Sequence, residues 1–194
     1  VFDWTRTELF RPLADGSTAM YMDKAQIIDT DPQELISMFE KGSKGLTLPG
    51  WEPERMAKIK ELFVAYEGIT GDELRANFKY FIDAIIPTCE KHDIKMAIHP
   101  DDPPFEIFNL PRLVNNQENI DLLLEVNNSP YHGLTFCTGS LGANPENNQV
   151  EMLKKYVDRT HFMHIRNVDL DDAGNFTEVS HRTADGTVDV VNLI

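Results

Sequence analysis

Three short segments each place a side chain that can bind a metal ion at the predicted end of a β-strand. These side chains are His99, Cys137 and His164. In α/β enzymes, active sites assemble where the ends of neighbouring parallel strands face a common pocket. Two imidazoles and one thiolate leave an open position on a divalent ion, as a catalytic site requires, and the same ligand types also suit zinc. The segments therefore predict a metal site without choosing the metal.

The alternation of side chains along each strand puts the three ligand candidates on equivalent faces. Successive residues of a strand point to opposite sides of the sheet. Ile98, Phe136 and Ile165 consequently lie opposite the ligand candidates, where they can pack against helices. Each strand thus sends one ligand inward and covers its outer face with hydrophobic side chains.

Predicted strands and helices alternate from residue 94 onward. The strands are 94–99, 134–137 and 160–166, and the helices are 119–126 and 148–157. The intervals between the ligand candidates match the ~30 or more residues of a βα repeat. Because such crossovers are right-handed, successive parallel strands lie side by side. The pattern predicts an α/β fold with a parallel sheet.

The first ninety residues predict less regular structure. Residues 13–31 contain an Asp-Gly turn and alternating residues, which predict a small hairpin insertion outside the core. A glycine-bearing loop at 42–50 precedes a helix that begins near Pro53 and has an apolar stripe. That stripe consists of Met56, Ile59, Phe63 and Tyr66.

A second helix is predicted from the capping-box spacing of Thr70 and Glu73 up to Lys91. Pro87 is expected to kink it. Its apolar positions are Leu74, Phe78, Phe81, Ile82, Ile85 and Cys89. Cys89 on this stripe is most simply a small core residue.

Composition excludes several classes of partner. The 194 residues include 32 acidic and 18 basic ones, and the net charge of −14 opposes binding to nucleic acid or to anionic membranes. A small anionic substrate would need local positive charge, which Arg166 beside a divalent ion can supply. Two cysteines make no disulfide framework and favour a reducing, cytoplasmic location.

Three other histidines are not expected to bind the metal, and two of them, His92 and His132, are predicted to have structural roles. His92 lies in the last turn of a helix, where its charge suits the helix dipole. His132 is placed in a turn at 129–133, and His161 at the beginning of a strand on the face of Met163. None of the three joins the predicted ligand set.

Taken together, the motifs resemble those of the mannonate dehydratase family, hexuronate-pathway enzymes that convert D-mannonate to 2-keto-3-deoxy-D-gluconate and water. They are Val-Phe-Asp-Trp-Thr-Arg-Thr at 1–7, Leu-Pro-Gly-Trp-Glu at 48–52, Met-Ala-Ile-His-Pro-Asp-Asp-Pro-Pro at 96–104, Cys-Thr-Gly-Ser at 137–140, His-Ile-Arg at 164–166 and Gly-Thr-Val-Asp at 186–189. The proline-rich string and the Cys-Thr-Gly-Ser segment are the specific ones. The resemblance covers nearly the whole chain.

The resemblance implies a (β/α)8 TIM barrel of the xylose-isomerase-like kind that uses Mn²⁺ or Fe²⁺. It implies that His99, Cys137 and His164 are metal ligands and that Arg166 contacts the substrate carboxylate. Residues 1–194 are then expected to be a single domain, the central portion of a barrel incomplete at both ends. A further Asp-His-Gly segment, with another ligand and the main acid/base pair, is expected beyond residue 194. The implied partner is D-mannonate in glucuronate catabolism, and a homo-oligomer is expected.

Dehydration of a dihydroxy acid needs a proton removed beside the carboxylate and a departing hydroxyl protonated. His181 and Asp102 are candidates for this proton transfer, although Asp102 could instead shape the proline-rich turn and His181 could lie at the surface. Arg6 is a second candidate anion contact, with a surface ion pair as its alternative. A sugar isomerase or epimerase on the same barrel, or a non-catalytic metal-binding domain, are the alternative functions.

Overall fold

The computed structural model describes residues 11–13, 16–19, 21–28, 31, 34, 58, 61–107 and 109–194. Its strands are β1 (Arg11–Pro12), β2 (Thr18–Ala19), β3 (Tyr21–Met22), β4 (Met96–Ile98), β5 (His132–Cys137), β6 (Thr160–His164), β7 (Asn167–Leu170) and β8 (Phe176–Val179). Its helices are α1 (Lys24–Ile28), α2 (Gly71–His92), α3 (Gln117–Glu125), α4 (Thr138–Gly142), α5 (Gln149–Tyr156) and α6 (Val190–Leu193). The predicted loop at 42–50 and the beginning of the helix near Pro53 lie outside the described residues. No helix in the described part is long and apolar enough to cross a membrane.

A parallel sheet with the order β4-β5-β6 carries the predicted metal ligands. Ile98 pairs with Leu134, and Cys137 pairs with His164, so the carboxyl ends of the strands meet at one edge. All six residues of β5 are buried, as expected of a strand with neighbours on both sides and helices on its face. The predicted α/β fold with a parallel sheet is confirmed.

The hydrophobic faces of these strands pack as the alternation predicts. Phe136 is fully buried in the main core, and Ile98 and Ile165 pack against the same cluster. Leu123 of α3 and Met152 of α5 belong to that cluster too. Burying the outer face in this way commits the opposite side chains, including Cys137, to the other side of the sheet.

The last predicted strand ends two residues early. β6 stops at His164 instead of Arg166, because both backbone groups of Arg166 bond to a side chain. The Arg166 N–H donates to Thr138 Oγ1 at 2.8 Å, and the Thr138 hydroxyl donates to the Arg166 carbonyl. The chain therefore leaves the parallel ladder, and β7 begins at Asn167 in a different sheet.

The second sheet is antiparallel, with the order β3-β8-β7, and the sequence patterns did not predict it. The small hairpin is confirmed: β1 pairs with β2, and Gly16 adopts a φ of +83° in the turn. Placing the rest of residues 13–31 outside the core was wrong. Met22 of β3 is 0% exposed, and both Met22 and Ile27 belong to the main core, because β3 pairs with β8.

Helix α2 begins where the capping box predicts. The Thr70 hydroxyl accepts from the Glu73 N–H, the Glu73 carboxylate accepts from the Thr70 N–H, and the helix continues through Pro87 to His92. Ile82, Ile86 and Cys89 form its buried face, as predicted for Cys89. The assignment of Phe81 to the apolar stripe was wrong: its side chain is 51% exposed.

His132 has the predicted structural role and closes the predicted turn, because its backbone N–H donates to the Ser129 carbonyl at 3.1 Å. It is the first residue of β5 and is fully buried, and its Nε2–H donates to the Leu123 carbonyl at 3.0 Å. Burial lowers the pKa of His132 because the charged imidazolium loses its hydration. His161 is also bonded to backbone, through Nδ1 and the Met96 carbonyl, at 2.7 Å.

We expect the stability of the full-length protein to fall on acidification partly through His132. Its pKa is lowered in the folded state, so as the pH falls below about 6.5 the unfolded chain binds a proton that the folded chain does not. Stability is then lost until the pH reaches the lowered pKa. Urea midpoints between pH 7.5 and 5 should show a flatter pH dependence for His132→Gln. A wild-type slope in His132→Gln would contradict the assignment.

Candidate metal centre

His99, Cys137 and His164 converge at the carboxyl edge of the parallel sheet. One ligand atom from each lies within 4.8 Å of the other two. His164 Nδ1 is 3.4 Å from His99 Nε2 and 3.5 Å from Cys137 Sγ. Two ligand atoms bound about 2.1–2.3 Å from one ion at a tetrahedral angle lie about 3.5 Å apart. The donor atoms therefore fit a single metal ion.

The strand register explains the convergence. Cys137 and His164 are paired neighbours at the ends of β5 and β6, and His99 directly follows β4. Cys137 is buried, His164 is partly buried and His99 is exposed. Solvent therefore reaches the group from the side of His99.

The hydrogen bond of His99 orients its ring for metal binding. Nδ1 lies 2.7 Å from the Pro100 carbonyl oxygen. A carbonyl only accepts, so Nδ1 carries the proton and the lone pair resides on Nε2, the atom that faces His164. Such backbone bonds commonly fix the tautomer of metal-binding histidines.

The Cys-Thr-Gly-Ser segment packs closely against Arg166. Thr138 holds both backbone groups of Arg166, as described above. A Cβ on Gly139 would lie 2.6 Å from the Arg166 Cβ, so this approach requires glycine. The Ser140 hydroxyl donates to Cys137 Sγ at 3.2 Å. Sequence reasoning selected the cysteine and missed the roles of Thr138 and Ser140, although their place directly after a strand end was a usable signal.

Arg166 is mostly buried and contacts two carboxylates. Nη1 donates to Asp102 Oδ2 at 2.7 Å, while Nη2 and Nε donate to Glu178 at 3.1 and 3.3 Å. Burial alone would lower the pKa of Arg166, but the hydrogen bonds and charges of Asp102 and Glu178 outweigh it and raise the pKa. The guanidinium is thus a permanent positive charge beside Cys137, whose Sγ is 3.9 Å from Nη1. Glu178 is a contact that the sequence did not indicate.

The predicted proton-transfer residues lie in different surroundings. Asp102 Oδ1 is buried without a hydrogen-bond partner among the described residues. The neighbouring Asp101 shapes the proline-rich turn, because its Oδ2 accepts from the N–H groups of Leu113 and Val114. His181 is exposed, and its Nε2–H donates to the Ile165 carbonyl at 3.0 Å, beside the ligand-bearing strand. Arg6 lies outside the described residues.

Comparisons with known proteins give the family of the chain. The family model described as D-mannonate dehydratase (UxuA) matches residues 1–194. Mannonate dehydratases from Bacillus subtilis and Shouchella clausii are 49% and 46% identical over the whole chain, which spans 54% of each relative.

A solved structure shows the same likeness. The crystal structure of mannonate dehydratase from Streptococcus suis serotype 2 aligns with a TM-score of 0.75 and 35% identity, over 100% of this chain and 48% of the solved one. The chain therefore spans about half the length of the relatives it matches. By the match to its whole sequence, the chain belongs to the D-mannonate dehydratase (UxuA) family.

Proposed function

We propose that the full-length protein is a mannonate dehydratase, a hydro-lyase that converts D-mannonate to 2-keto-3-deoxy-D-gluconate and water. The observation that carries the proposal is the convergence of His99, Cys137 and His164 beside the buried cation of Arg166. Family membership names the reaction, and the site contains groups suited to it. The role belongs to glucuronate catabolism in the cytoplasm, where free cysteines such as Cys89 and Cys137 remain reduced.

We further propose that His99 Nε2, Cys137 Sγ and His164 Nδ1 hold Mn²⁺ or Fe²⁺. The separations of these atoms fit one ion, and imidazole with thiolate is a donor set that iron accepts. When bound, the ion supplies a Lewis acid that favours negative charge on a substrate oxygen. The resemblance to the family supports manganese or iron, since the donor types alone also suit zinc.

Arg166 is proposed to bind the substrate carboxylate through the edge that now contacts Glu178. Its Nη1 is occupied by Asp102, whereas Nε and Nη2 present two N–H groups to one carboxylate, the geometry of bidentate recognition. The Glu178 side chain is 53% exposed and can turn into solvent. A substrate carboxylate would replace Glu178 on this edge while Asp102 keeps the guanidinium in place. Arg6 is proposed as a second anion contact.

His181 and Asp102 are proposed to assist proton transfer. The Nε2–H of His181 donates to the Ile165 carbonyl, so Nδ1 offers a lone pair that can take a proton. Asp102 keeps one buried oxygen without a partner among the described residues, and this oxygen can accept a hydrogen bond from a ligand hydroxyl. The main acid/base pair is proposed to lie beyond residue 194, and the family resemblance supports this.

For the architecture, we propose one domain in which β4, β5 and β6 with α3 and α5 are successive units of a (β/α)8 barrel. The parallel order and the likeness to the solved mannonate dehydratase support this. A sugar acid is the proposed partner, and neither a nucleic acid nor a membrane is, in keeping with the net charge of −14. The full-length protein is proposed to form a homo-oligomer.

The test is a reaction of the full-length protein with D-mannonate after chelation and reloading with Mn²⁺ or Fe²⁺. We expect a product lighter than the substrate by one water, with activity lost on chelation and restored by the ion. Mass spectrometry of the product decides between functions. A product of unchanged mass would identify an isomerase or epimerase, and bound metal without turnover would identify a non-catalytic metal domain.

A further inference from the structure

A serine one helical turn after Cys137 contacts the same sulfur that faces the two histidines. Ser140 Oγ lies 3.2 Å from Cys137 Sγ, and the two side chains are 1% and 0% exposed. Water therefore does not compete for this contact. A buried hydroxyl without a partner is costly, so the proton of Ser140 must be directed to a protein atom.

Arg166 determines which way that proton points. Its Nη1 lies 3.3 Å from Ser140 Oγ. A guanidinium only donates, so the Ser140 oxygen accepts from Arg166 and its own hydrogen is left for Cys137 Sγ. The hydrogen bonds run in one direction, from Arg166 through Ser140 to the sulfur. Donation to a charged or polarised acceptor also makes such a chain stronger than its separate bonds.

A purely structural role for Ser140 is already filled by its neighbours. Thr138 fixes the backbone of Arg166, and Gly139 permits its close approach. Asp102 and Glu178 hold the guanidinium through ion pairs. Four residues other than Ser140 therefore hold Arg166 in place. Among the described residues, Ser140 supplies the hydroxyl that donates to Cys137 Sγ.

We propose that Ser140 is a positioning residue for the metal centre. Its hydroxyl holds Cys137 Sγ in the orientation that faces His99 and His164, and it links this ligand to the arginine proposed to bind substrate. The inference rests on the proposed ligand set. It adds that the affinity and geometry of the centre depend on a side chain that does not itself touch the ion.

The experiment measures Co²⁺ binding to the metal-free full-length protein, using Ser140→Ala and Ser140→Thr. Co²⁺ reports affinity by titration, and its sulfur-to-metal absorption band reports the Cys137 bond directly. Ser140→Ala should weaken Co²⁺ binding by about tenfold to a hundredfold, the range for hydrogen-bond partners of metal ligands, and shift the band. Ser140→Thr keeps the hydroxyl and should restore both. Thr160→Val is the control, because it removes a hydroxyl that bonds the Tyr156 carbonyl at the other end of β6.

The outcomes separate this inference from the proposed metal centre. A wild-type protein without the sulfur band would overturn the ligand set itself. A normal wild-type band with unchanged affinity and band in Ser140→Ala would overturn the role of Ser140 alone, even if the melting temperature fell. If Ser140→Ala does not fold, Ser140→Thr decides the question, because it retains the hydroxyl. A folded Ser140→Thr that binds Co²⁺ tenfold more weakly than wild type would overturn the proposed role of Ser140.

Discussion

Replacement of Cys137 by serine is expected to remove most of the bound metal from the full-length protein, and its dehydratase activity with it. Serine keeps the size of the side chain but supplies a neutral hydroxyl in place of a soft thiolate. Cys137 is fully buried at the end of β5 between the two histidines, so water has little room to substitute for the lost ligand. We expect at least about a hundredfold loss of metal affinity, more than the change of a hydrogen-bond partner produces.

The second free cysteine is the matched control for this change. Cys89 is buried on α2, in a separate hydrophobic cluster with Ile82 and Ile86. Cys89→Ser should destabilise the protein and leave metal content and activity per folded molecule unchanged. Metal is quantified by elemental analysis of the purified variants, and activity after chelation and re-addition. Unchanged metal stoichiometry in Cys137→Ser would remove Cys137 from the ligand set.

Arg166→Lys is expected to lower kcat/KM for D-mannonate by on the order of tenfold or more, equivalent to at least ~1.4 kcal/mol. An ammonium is a point charge and cannot serve Asp102, Ser140 and a substrate carboxylate in the fork geometry of the guanidinium. It would also leave the partly buried Asp102 carboxylate poorly paired, which is costly. Steady-state kinetics on D-mannonate and a melting curve measure the two effects separately.

Two companion variants sharpen this result. Arg75→Lys changes an arginine of α2 that is paired with Asp72, and it should leave the kinetics unchanged. Glu178→Gln weakens the contact of residue 178 with Nε and Nη2 of Arg166, the two groups that are proposed to bind the substrate carboxylate. Because the substrate then competes with a weaker partner, the KM for D-mannonate should fall several-fold. Wild-type kinetics in Arg166→Lys would refute substrate binding by Arg166, and a raised KM in Glu178→Gln would show that Glu178 positions the arginine instead of competing with substrate.

The convergence of the three ligand candidates was predictable because parallel strands leave few choices. The spacing of the βα repeats predicted adjacent strands, and the alternation of Phe136 and Cys137 decided which side chain faces the core. Both are local patterns with direct physical causes, and the register of Cys137 with His164 follows from them.

What the sequence did not predict depends on contacts between distant segments. Tyr21 pairs with Thr177 across most of the chain, and no local pattern in a two-residue strand reveals that partner. The early end of β6 at His164 requires knowing that Thr138 bonds the Arg166 backbone. His132 closes the turn in which it was placed, but its pairing with Met96 as the first residue of β5 and its burial against α3 depend on other segments. In each case contacts between separate segments decided what local preference alone could not.

The order of the strands has a consequence for the lifetime of the protein. Cys137 and His164 are 27 residues apart, and His99 and His164 are 65 apart, so the three donors come together only when the sheet is formed. An ion that binds the assembled donors, and not the unfolded chain, stabilises the folded state by mass action. The stabilisation is about 2.7 kcal/mol when the free ion concentration is a hundred times the dissociation constant. If the proposed metal centre is present, cells short of the metal would then lose folded protein as well as the proposed activity, because unfolded chains are removed by proteases. Metal supply would thereby control the abundance of the protein.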